Sequence, residues 1–373
     1  MRFAHISDLH IGKRVNEISM IKDQRYILDE IIRIIKENHV DAVLIAGDLY
    51  DKSMPSAEAV SVCDDFLTKL ATTGKHIFVI SGNHDCEERV AFAGRIMEHM
   101  NIHIAPVFDG HVSKYSLENV DVYLLPFIKP IGIKQYYENQ EINNHNDAVK
   151  AALSEIVTDK NKCNILVAHQ FVTGALRSES EETCVGGLDN VDADTFKDFD
   201  YVALGHIHRG QHVQRDTVRY CGSPLKYSFS EVSHKKSVTL VDVKDKEISI
   251  SEIPLIPLHD MRDIRGTFEE VTSKEFYKEM DTMDYVRIIL TDEEDVPDAV
   301  SRLRSIYPNI MRLEYDNKRT RAYSSPILNY EVTTKTGYEL FTELYESQNN
   351  APMSAEQSEY VKTLLEEIFD ETY

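Results

Sequence analysis

Side chains of the types that bind metals follow five apolar runs in this sequence. In chain order they are Asp8 and His10, then Asp48, then Asn83 and His84, then His169, then His206 and His208. In open α/β sheets, ligands bind beyond the carboxyl ends of the strands, so residues about 200 positions apart can share one cleft. Carboxylate, imidazole and amide ligands without thiolate favour manganese, iron or zinc over calcium or a structural zinc. The pattern therefore predicts a divalent-metal site.

The spacing of two pairs supports this interpretation. Asp8 with His10, and His206 with His208, are each separated by one residue. In an extended chain such residues point to the same side, so each pair could bind one ion. A single aspartate after a strand is weaker evidence, because it commonly forms a turn or caps a helix. His5, inside the first apolar run, is expected to pack or to hydrogen-bond in the core.

The elements that must position these residues alternate between strand and helix patterns over about the first 250 residues. Residues 40–48, VDAVLIAGD, form an apolar run that ends in Gly-Asp and is typical of a buried strand followed by a turn. Residues 24–40 carry isoleucines at helical spacing. This alternation predicts an α/β architecture with sheets covered by helices. A long polar segment, 177–187, is expected to be a loop over the site or an insertion.

The pattern changes near Pro257. Residues 257–325 predict a small α/β domain, and residues 335–373 predict two helices joined by NNAPM, with the first 256 residues as the main domain. Leucines at helical spacing, among them Leu340, Leu344 and Leu364, give both tail helices an apolar stripe. The stripes could dock on the protein's own body or on a partner.

Composition is that of a soluble globular protein of two or three domains, with 373 residues, 42% hydrophobic and 28% charged. No apolar run reaches the roughly 18 residues of a membrane span, and the first ten residues do not resemble a signal peptide, so a cytoplasmic location is expected. The five cysteines form no CxxC pair, which favours reduced thiols. They are Cys63, Cys86, Cys163, Cys184 and Cys221.

The charge balance limits how this protein could bind nucleic acid. Its formal net charge is −22, whereas proteins that bind nucleic acid unaided usually carry a basic patch. A phosphate ligand would have to be attracted locally, by bound divalent cations or by a basic partner subunit.

The same motifs carry a resemblance. DLH at 8–10, GDLYD at 47–51, GNHD at 82–85, AHQ at 168–170 and GHIH at 205–208 resemble the five ordered motifs of the calcineurin-like metallophosphoesterases. With the start MRFAHISDLHIGKR, CGSPLKYSFSE at 221–231, the small following domain and the helical tail, the chain more narrowly resembles the SbcD family, the nuclease subunits of bacterial SbcCD complexes. The resemblance implies a metallophosphoesterase β-sandwich flanked by helices.

The resemblance also implies site residues and two manganese ions. Asp8, His10 and His208 would bind the first ion, Asn83, His169 and His206 the second, and Asp48 would bridge them. Two ions can activate a water and clamp the attacking and leaving oxygens of a phosphodiester. His84 would stabilise the transition state or protonate the leaving oxygen, although a supporting role beside Asp85 is the alternative. Archaeal and eukaryotic relatives carry a second histidine where this chain has Asp51, for which we predict no catalytic role.

As function, the resemblance implies a DNA exonuclease and endonuclease acting on ends or hairpins in DNA repair, recombination and replication. The tail would dock an SbcC-like ATPase and the small domain would cap the DNA. Two copies would pair within a heterotetramer through two expected helices, near residues 57–71 and 88–100. Two alternatives stay open: a phosphodiesterase or phosphatase for small phosphoesters or nucleotides, and an inactive binding scaffold.

Overall fold

The computed structural model describes residues 1–137, 140–181, 190–324, 337–349 and 352–370. The chain divides into two compact units, Met1–Met261 and Arg262–Tyr373. The three-part division inferred from the sequence stays a prediction. Cys184 and residues 182–187 of the predicted polar loop lie outside the described residues. The other four cysteines have free thiols.

The first unit alternates strands and helices as predicted. Its strands are β1 (Arg2–Ile6), β2 (Arg14–Val15), β3 (Ile18–Ser19), β4 (Ala42–Ala46), β5 (His76–Ile80), β6 (Ile102–Ala105), β7 (Ser113–Leu117), β8 (Val120–Leu125), β9 (Cys163–His169), β10 (Phe171–Val172), β11 (Asn190–Val191), β12 (Tyr201–Gly205), β13 (Gln211–Val213), β14 (Arg215–Tyr220), β15 (Ser237–Lys244) and β16 (Glu247–Pro254). Its α-helices are α1 (Ile21–Glu37), α2 (Ala57–Ala71), α3 (Glu87–Val90), α4 (Gly94–Met97), α5 (Pro130–Ile133) and α6 (His145–Leu153).

Two six-stranded sheets form the framework of this unit. Their strand orders are β16-β15-β1-β4-β5-β6 and β13-β14-β12-β9-β8-β7. In each sheet four neighbouring strands are parallel: β1, β4, β5 and β6 in the first, and β14, β12, β9 and β8 in the second. The register places Ile6 beside Ile45 and Gly205 beside His169, so neighbouring parallel strands end nearly level. Polar residues that follow these strands are thereby collected at one edge.

Apolar side chains from both sheets form one core between them. Phe3, Leu44 and Phe78 of the first sheet belong to the same buried cluster as Ile165 and Val167 of the second. On the other face of the second sheet, a separate cluster includes side chains of β9, β12 and α6. Parallel strands covered on both faces are continuously apolar, which explains the runs seen in the sequence. The predicted α/β sandwich flanked by helices is confirmed.

The region between residues 87 and 100 is broken into short turns instead of one helix. After α3 and α4, residues Glu98–Met100 form a 3₁₀ turn. Ala93 has a φ of +60°, a left-handed conformation that ends the hydrogen-bond ladder of α3 before α4 begins. The expectation of a continuous helix over 88–100 was therefore wrong. By contrast, α2 forms as predicted, and the hydroxyl of its N-cap, Ser56, accepts from the Ala59 amide at 3.2 Å.

The second unit is a small α/β domain followed by the tail helices. Its strands are β17 (Met261–Gly266), β18 (Tyr285–Leu290) and β19 (Ile310–Tyr315), and its helices are α7 (Phe268–Thr272), α8 (Lys274–Tyr277), α9 (Ala299–Arg304), α10 (Lys318–Ser324), α11 (Gly337–Asn349) and α12 (Ala355–Asp370). The strands form one sheet in the order β17-β18-β19, in which β18 and β19 are parallel. Ile264, Ile288, Leu303 and Tyr307 are among the residues of its core.

Helices α11 and α12 contact each other through polar side chains. The Tyr338 and Ser358 hydroxyls are hydrogen-bonded, and the Tyr345 hydroxyl donates to Gln357 Oε1 at 3.1 Å. Leu340 and Leu344 of α11, one helical turn apart, are exposed. Among the described residues, no helix combines the length and the apolar character needed to cross a membrane.

Candidate metal centre

The eight residues singled out from the sequence all lie at the edge where the parallel strands of the two sheets end. The first sheet supplies Asp8 and His10 after β1, Asp48 after β4, and Asn83 and His84 after β5; the second supplies His169 at the end of β9, and His206 and His208 after β12. The structure brings all of them into one cluster, with the contacts described below.

One group of donor atoms gathers around His10. Asp8, His10 and His208 each offer a ligand atom within 4.8 Å of the others. The Nε2 atoms of His10 and His208 are 3.0 Å apart, and His10 Nε2 lies 3.6 Å from Asp48 Oδ2. All four side chains are buried. Asp8, His10 and His208 are the residues that the family resemblance assigns to the first ion, and Asp48 is the expected bridge.

A second group gathers around His169. Its Nε2 atom is 3.0 Å from Asn83 Oδ1 and 3.4 Å from Asp48 Oδ2, and His206 Nδ1 is 2.9 Å from the same Asn83 oxygen. Asp48 therefore lies between the two groups, because one of its oxygens, Oδ2, is near both His10 and His169.

The hydrogen bonding of the His169 ring determines which of its nitrogens can bind a cation. Its Nδ1–H donates to the Ala46 carbonyl at 2.7 Å, so in the neutral ring Nε2 carries a lone pair. That lone pair faces the Asn83 amide oxygen. Two electron-pair donors at 3.0 Å repel each other unless a proton or a metal ion lies between them. The chemistry of the donor set therefore fits a cation at this position.

The electrostatics support the same conclusion. Burial lowers the pKa of His169 but the neighbouring Asp48 carboxylate raises it, and the net result is a rise to about 9. Burial raises the pKa of Asp48, yet the charge of His169 holds it well below its usual range. Burial also lowers the pKa of His206 to about 3. Positive charge is thus favoured beside Asp48, while the His206 ring stays neutral and can offer a lone pair to a cation.

Four of the predicted ligands have left-handed backbone conformations. Their φ angles are +53° at Asp8, +44° at His10, +52° at Asp48 and +98° at His206. The expectation that the paired ligands converge through extended chain was therefore wrong: the chain turns sharply at these positions. Each such conformation costs on the order of 1–3 kcal/mol and persists where surrounding contacts enforce it. Here the Asp8 amide donates to the Gly47 carbonyl at 3.1 Å, and the His206 amide donates to Asp8 Oδ1 at 3.0 Å.

Two glycines allow the loops to approach this closely. A Cβ atom at Gly82 would lie 2.1 Å from Asp48 Oδ1, and one at Gly205 would lie 1.9 Å from the Ala46 carbonyl oxygen. The contact at Gly82 involves the proposed bridging carboxylate itself. Glycine is required at both positions because no side chain can be accommodated.

Asp85 links the loops that follow β4 and β5. Its carboxylate accepts from the amides of Gly82 at 2.9 Å, Leu49 at 3.1 Å and Tyr50 at 2.9 Å. Burial raises the pKa of Asp85 to about 6, despite these hydrogen bonds. One carboxylate therefore fixes the backbone just after Asp48 and just before Asn83.

The loop that carries Asp8 and His10 is supported by residues that the sequence did not indicate. Gln24, on α1, donates to the His10 carbonyl at 2.7 Å and accepts from the Gly12 amide at 3.0 Å. The Tyr227 hydroxyl donates to the Leu9 carbonyl at 2.5 Å. Gln24 occupies a buried position of an amphipathic helix and gave no signal in the sequence. Tyr227 lies in CGSPLKYSFSE, which stands out in the sequence only through the family resemblance.

His84 is held next to the donor groups by its own backbone and ring. Its amide donates to Asp48 Oδ1 at 2.9 Å, and its Nδ1–H donates to the Asp51 carbonyl at 2.9 Å. The ring stands perpendicular to that of His10 at a centroid distance of 4.8 Å. The Asp51 carboxylate lies 2.8 Å from Lys13 Nζ and 3.8 Å from His10 Nδ1.

Comparison with family models matches two stretches of the chain. Residues 1–210 match the calcineurin-like phosphoesterase model, and residues 257–349 match the model described as type 5 capsule protein repressor C-terminal domain. The first stretch contains every donor described above.

Two relatives match along the whole chain, and both are named as the SbcD component of the nuclease SbcCD. One, from Staphylococcus epidermidis, is 30% identical over 99% of each chain. The other, from Staphylococcus saprophyticus, is 30% identical over 100% of this chain and 99% of its own. A dimetal phosphatase from Danio rerio superposes with a TM-score of 0.41 at 10% identity, covering 68% of this chain and 96% of that one.

Replacing Gly82 should impair metal binding. In Gly82→Ala the new methyl group must displace Asp48 Oδ1, so we expect Mn²⁺ affinity to fall by at least about 10- to 100-fold, the range found when the support of a ligand is removed. Gly132→Ala is the matched control, because nothing lies within 4 Å of its Cβ position. Calorimetric titration of metal-free protein would measure both; equal affinities would contradict the tight packing around Asp48.

Proposed function

Because this chain belongs to the calcineurin-like phosphoesterase family and, within it, to the SbcD family of nuclease subunits, we propose that it is a metal-dependent phosphodiesterase that cleaves DNA beside an SbcC-like ATPase. The observation that carries the proposal is the convergence of the predicted donors from five strand ends. A site that had lost its activity would be expected to have lost some of them. The match to full-length nuclease subunits favours DNA over small phosphoesters.

We assign the donors to two divalent ions, most suitably Mn²⁺. Asp8, His10 and His208 would bind one ion, the group around Asn83 would bind the other, and Asp48 would contact both. Nitrogen and oxygen ligands without thiolate suit Mn²⁺. When bound, two such ions supply an activated water and neutralise charge on the phosphate oxygens.

The chain's own residues then orient the substrate and move protons. The Nδ1–H of His84 donates to the Asp51 carbonyl, which fixes the ring, and we assign Nε2 to meet a phosphate or a leaving oxygen. Lys13 neutralises the Asp51 carboxylate at 2.8 Å, and this limits its repulsion of the DNA backbone. With a net charge of −22, the chain otherwise offers little attraction to DNA, which is consistent with dependence on ions and a partner.

A cleavage assay tests the activity and the role of His84 together. With Mn²⁺, the purified protein should degrade linear duplex or hairpin DNA, with and without the ATPase, and a chelator should stop the reaction. His84→Gln should lower the rate by about 10²–10⁴-fold, because a positioned acid–base group is lost. Its metal content by mass spectrometry should remain that of the parent.

The matched control is His111→Gln, because His111 is an exposed histidine on a loop. This variant should cleave DNA at the parental rate. Cleavage of chromogenic phosphodiesters and nucleotides without any DNA cleavage would contradict the nuclease assignment. Loss of the ions in His84→Gln would contradict the separation of His84 from the ligands.

The tail helices are our candidate for docking the ATPase. Leu340 and Leu344 form an exposed apolar stripe on α11, and Tyr360 and Leu364 are exposed on α12. A two-helix hairpin buries little apolar surface by itself, so such stripes suit an amphipathic partner such as a helix of a coiled coil. We therefore assign docking of the ATPase to residues 335–373. The same proposal gives residues 257–325 the role of capping the DNA and places the protein in the cytoplasm.

Charged substitutions on the stripe should separate docking from catalysis. Leu340→Glu with Leu344→Glu should reduce co-purification with an SbcC-like ATPase by at least about tenfold, because interface anchors carry most of the binding free energy. Mn²⁺-dependent cleavage by the isolated subunit should persist. Glu346→Gln, exposed on the same helix, is the control. Undiminished co-purification of the double variant would refute docking through α11.

We also propose that two copies pair through the region from α2 to the 3₁₀ turn at Glu98–Met100. Phe92 is 80% exposed and Ile96 is 71% exposed, and Met100, four residues after Ile96, is exposed as well. Val60 is exposed on α2. Apolar side chains concentrated in this way mark interaction surfaces more often than isolated ones do.

Light scattering would test this pairing. Phe92→Glu with Ile96→Glu should convert a particle with the mass of two chains into one with the mass of a single chain, because burying two carboxylates disfavours the contact. Val157→Glu, which changes an 89% exposed apolar residue elsewhere, should leave the mass unchanged. A parent that is monomeric at every concentration would rule out self-pairing.

A further inference from the structure

A buried ion pair lies directly behind His208. Glu231 belongs to the 3₁₀ turn Phe229–Glu231 and Lys236 immediately precedes β15, and both side chains are buried. Lys236 Nζ donates to Glu231 Oε2 at 2.5 Å, to the His208 carbonyl at 2.8 Å and to Ser223 Oγ at 2.8 Å. The ammonium group therefore holds both the backbone of His208 and the carboxylate next to its ring.

The second oxygen of Glu231 faces the imidazole. His208 Nδ1 is 3.2 Å from Glu231 Oε1 and 2.9 Å from Ser180 Oγ, and Ser180 donates its hydroxyl hydrogen to the same Oε1 at 2.6 Å. A serine hydroxyl has one hydrogen, so Ser180 Oγ must accept at Nδ1. The proton of the neutral His208 ring is thereby placed on Nδ1, shared between the hydroxyl and the carboxylate.

This arrangement leaves Nε2 of His208 with a lone pair. Nε2 is the atom that lies 3.0 Å from His10 Nε2, in the group assigned to the first ion. If the proton were instead on Nε2, a bare Nδ1 would face a carboxylate and the lone pairs of a hydroxyl. That arrangement is repulsive in a buried, low-dielectric setting. The surroundings of Nδ1 thus select the tautomer that can bind a metal.

The backbone of His208 is held as firmly as its ring. Its amide donates to Glu181 Oε1 at 2.8 Å, and its carbonyl accepts from Lys236. Charged groups therefore hold both the backbone of His208 and the direction of its imidazole. Groups in this position behind a metal-bound histidine orient the ring and increase its basicity.

We propose that Glu231, fixed in place by Lys236, is a positioning residue that sets the tautomer and direction of His208 for the first divalent ion. The inference rests on the proposed two-metal centre and extends it to residues outside the five ligand motifs. It assigns the support of His208 to residues of the segment 221–236 and to Ser180. The ligand pattern in the sequence includes neither.

Glu231→Gln is the informative substitution because it keeps the size of the side chain. Lys236 has no acceptor lone pair and requires the amide oxygen, so the amide nitrogen of the new glutamine must face His208 Nδ1. That amide is a donor and would donate to the Nδ1 lone pair, which moves the ring proton to Nε2. The variant should therefore present a protonated nitrogen to the first ion while the second group remains intact.

The test titrates full-length, metal-free protein with Mn²⁺ by calorimetry. The parent should bind two ions. Glu231→Gln should bind one ion with parental affinity and the other about 10- to 100-fold more weakly. Glu252→Gln is the matched control, because it neutralises a glutamate that pairs with Arg219 on the surface. Ser180→Ala should keep both ions, because Glu231 can still accept from Nδ1.

A spectroscopic measurement distinguishes positioning from a purely structural role. ¹⁵N spectra of metal-free protein should show the His208 ring protonated on Nδ1 in the parent and on Nε2 in Glu231→Gln. A parent protonated on Nε2 would overturn the inference even if the variant did not fold. A variant that is less stable to denaturant but keeps the parental tautomer and both affinities would overturn it too. A parent that binds no ions would instead refute the metal centre itself.

Discussion

The position of the Asp48 carboxylate is the constraint on which the rest of the site depends. Its Oδ2 atom is within 3.6 Å of both His10 and His169, and its Oδ1 atom accepts the amide of His84. No side chain is possible at Gly82 because Asp48 occupies that space. The loops after β1, β4 and β5 therefore meet around this carboxylate, next to His169 at the end of β9.

The residues around this cluster offset the unfavourable free energy of burying it. Buried carboxylates and imidazoles lose hydration, and several of them also adopt left-handed backbone conformations. Asp85, Gln24 and the Glu231–Lys236 pair compensate by satisfying backbone amides, carbonyls and ring nitrogens at the back of each loop. At the centre, electron-pair donors face one another, as the Nε2 atoms of His10 and His208 do at 3.0 Å. A divalent cation is the kind of ligand that such an arrangement selects.

The charge of the chain and the location of its exposed apolar side chains are consistent with separate regions for catalysis and for assembly. A net charge of −22 gives the chain little attraction for DNA of its own, which accords with the proposed dependence on divalent ions and on a partner. The exposed side chains on α11, and those of Phe92 and Ile96, are not among the donor residues around Asp48. The proposed roles in catalysis and in assembly therefore involve different residues, so variants of one set can test one role without changing the residues of the other.

The sequence by itself determined the α/β alternation, the identity of the donor residues and their order along the chain. Those features are local: apolar runs and helical periodicity report burial, and a polar residue after a strand marks its end. Only the tertiary structure decided how the donors meet. The left-handed turns at Asp8 and His10, the break at Ala93, and the support of His208 by Glu231 depend on contacts between residues distant in sequence or on backbone conformations that residue type does not specify. Pattern reasoning cannot recover them, because their free energies depend on neighbours that the fold brings together.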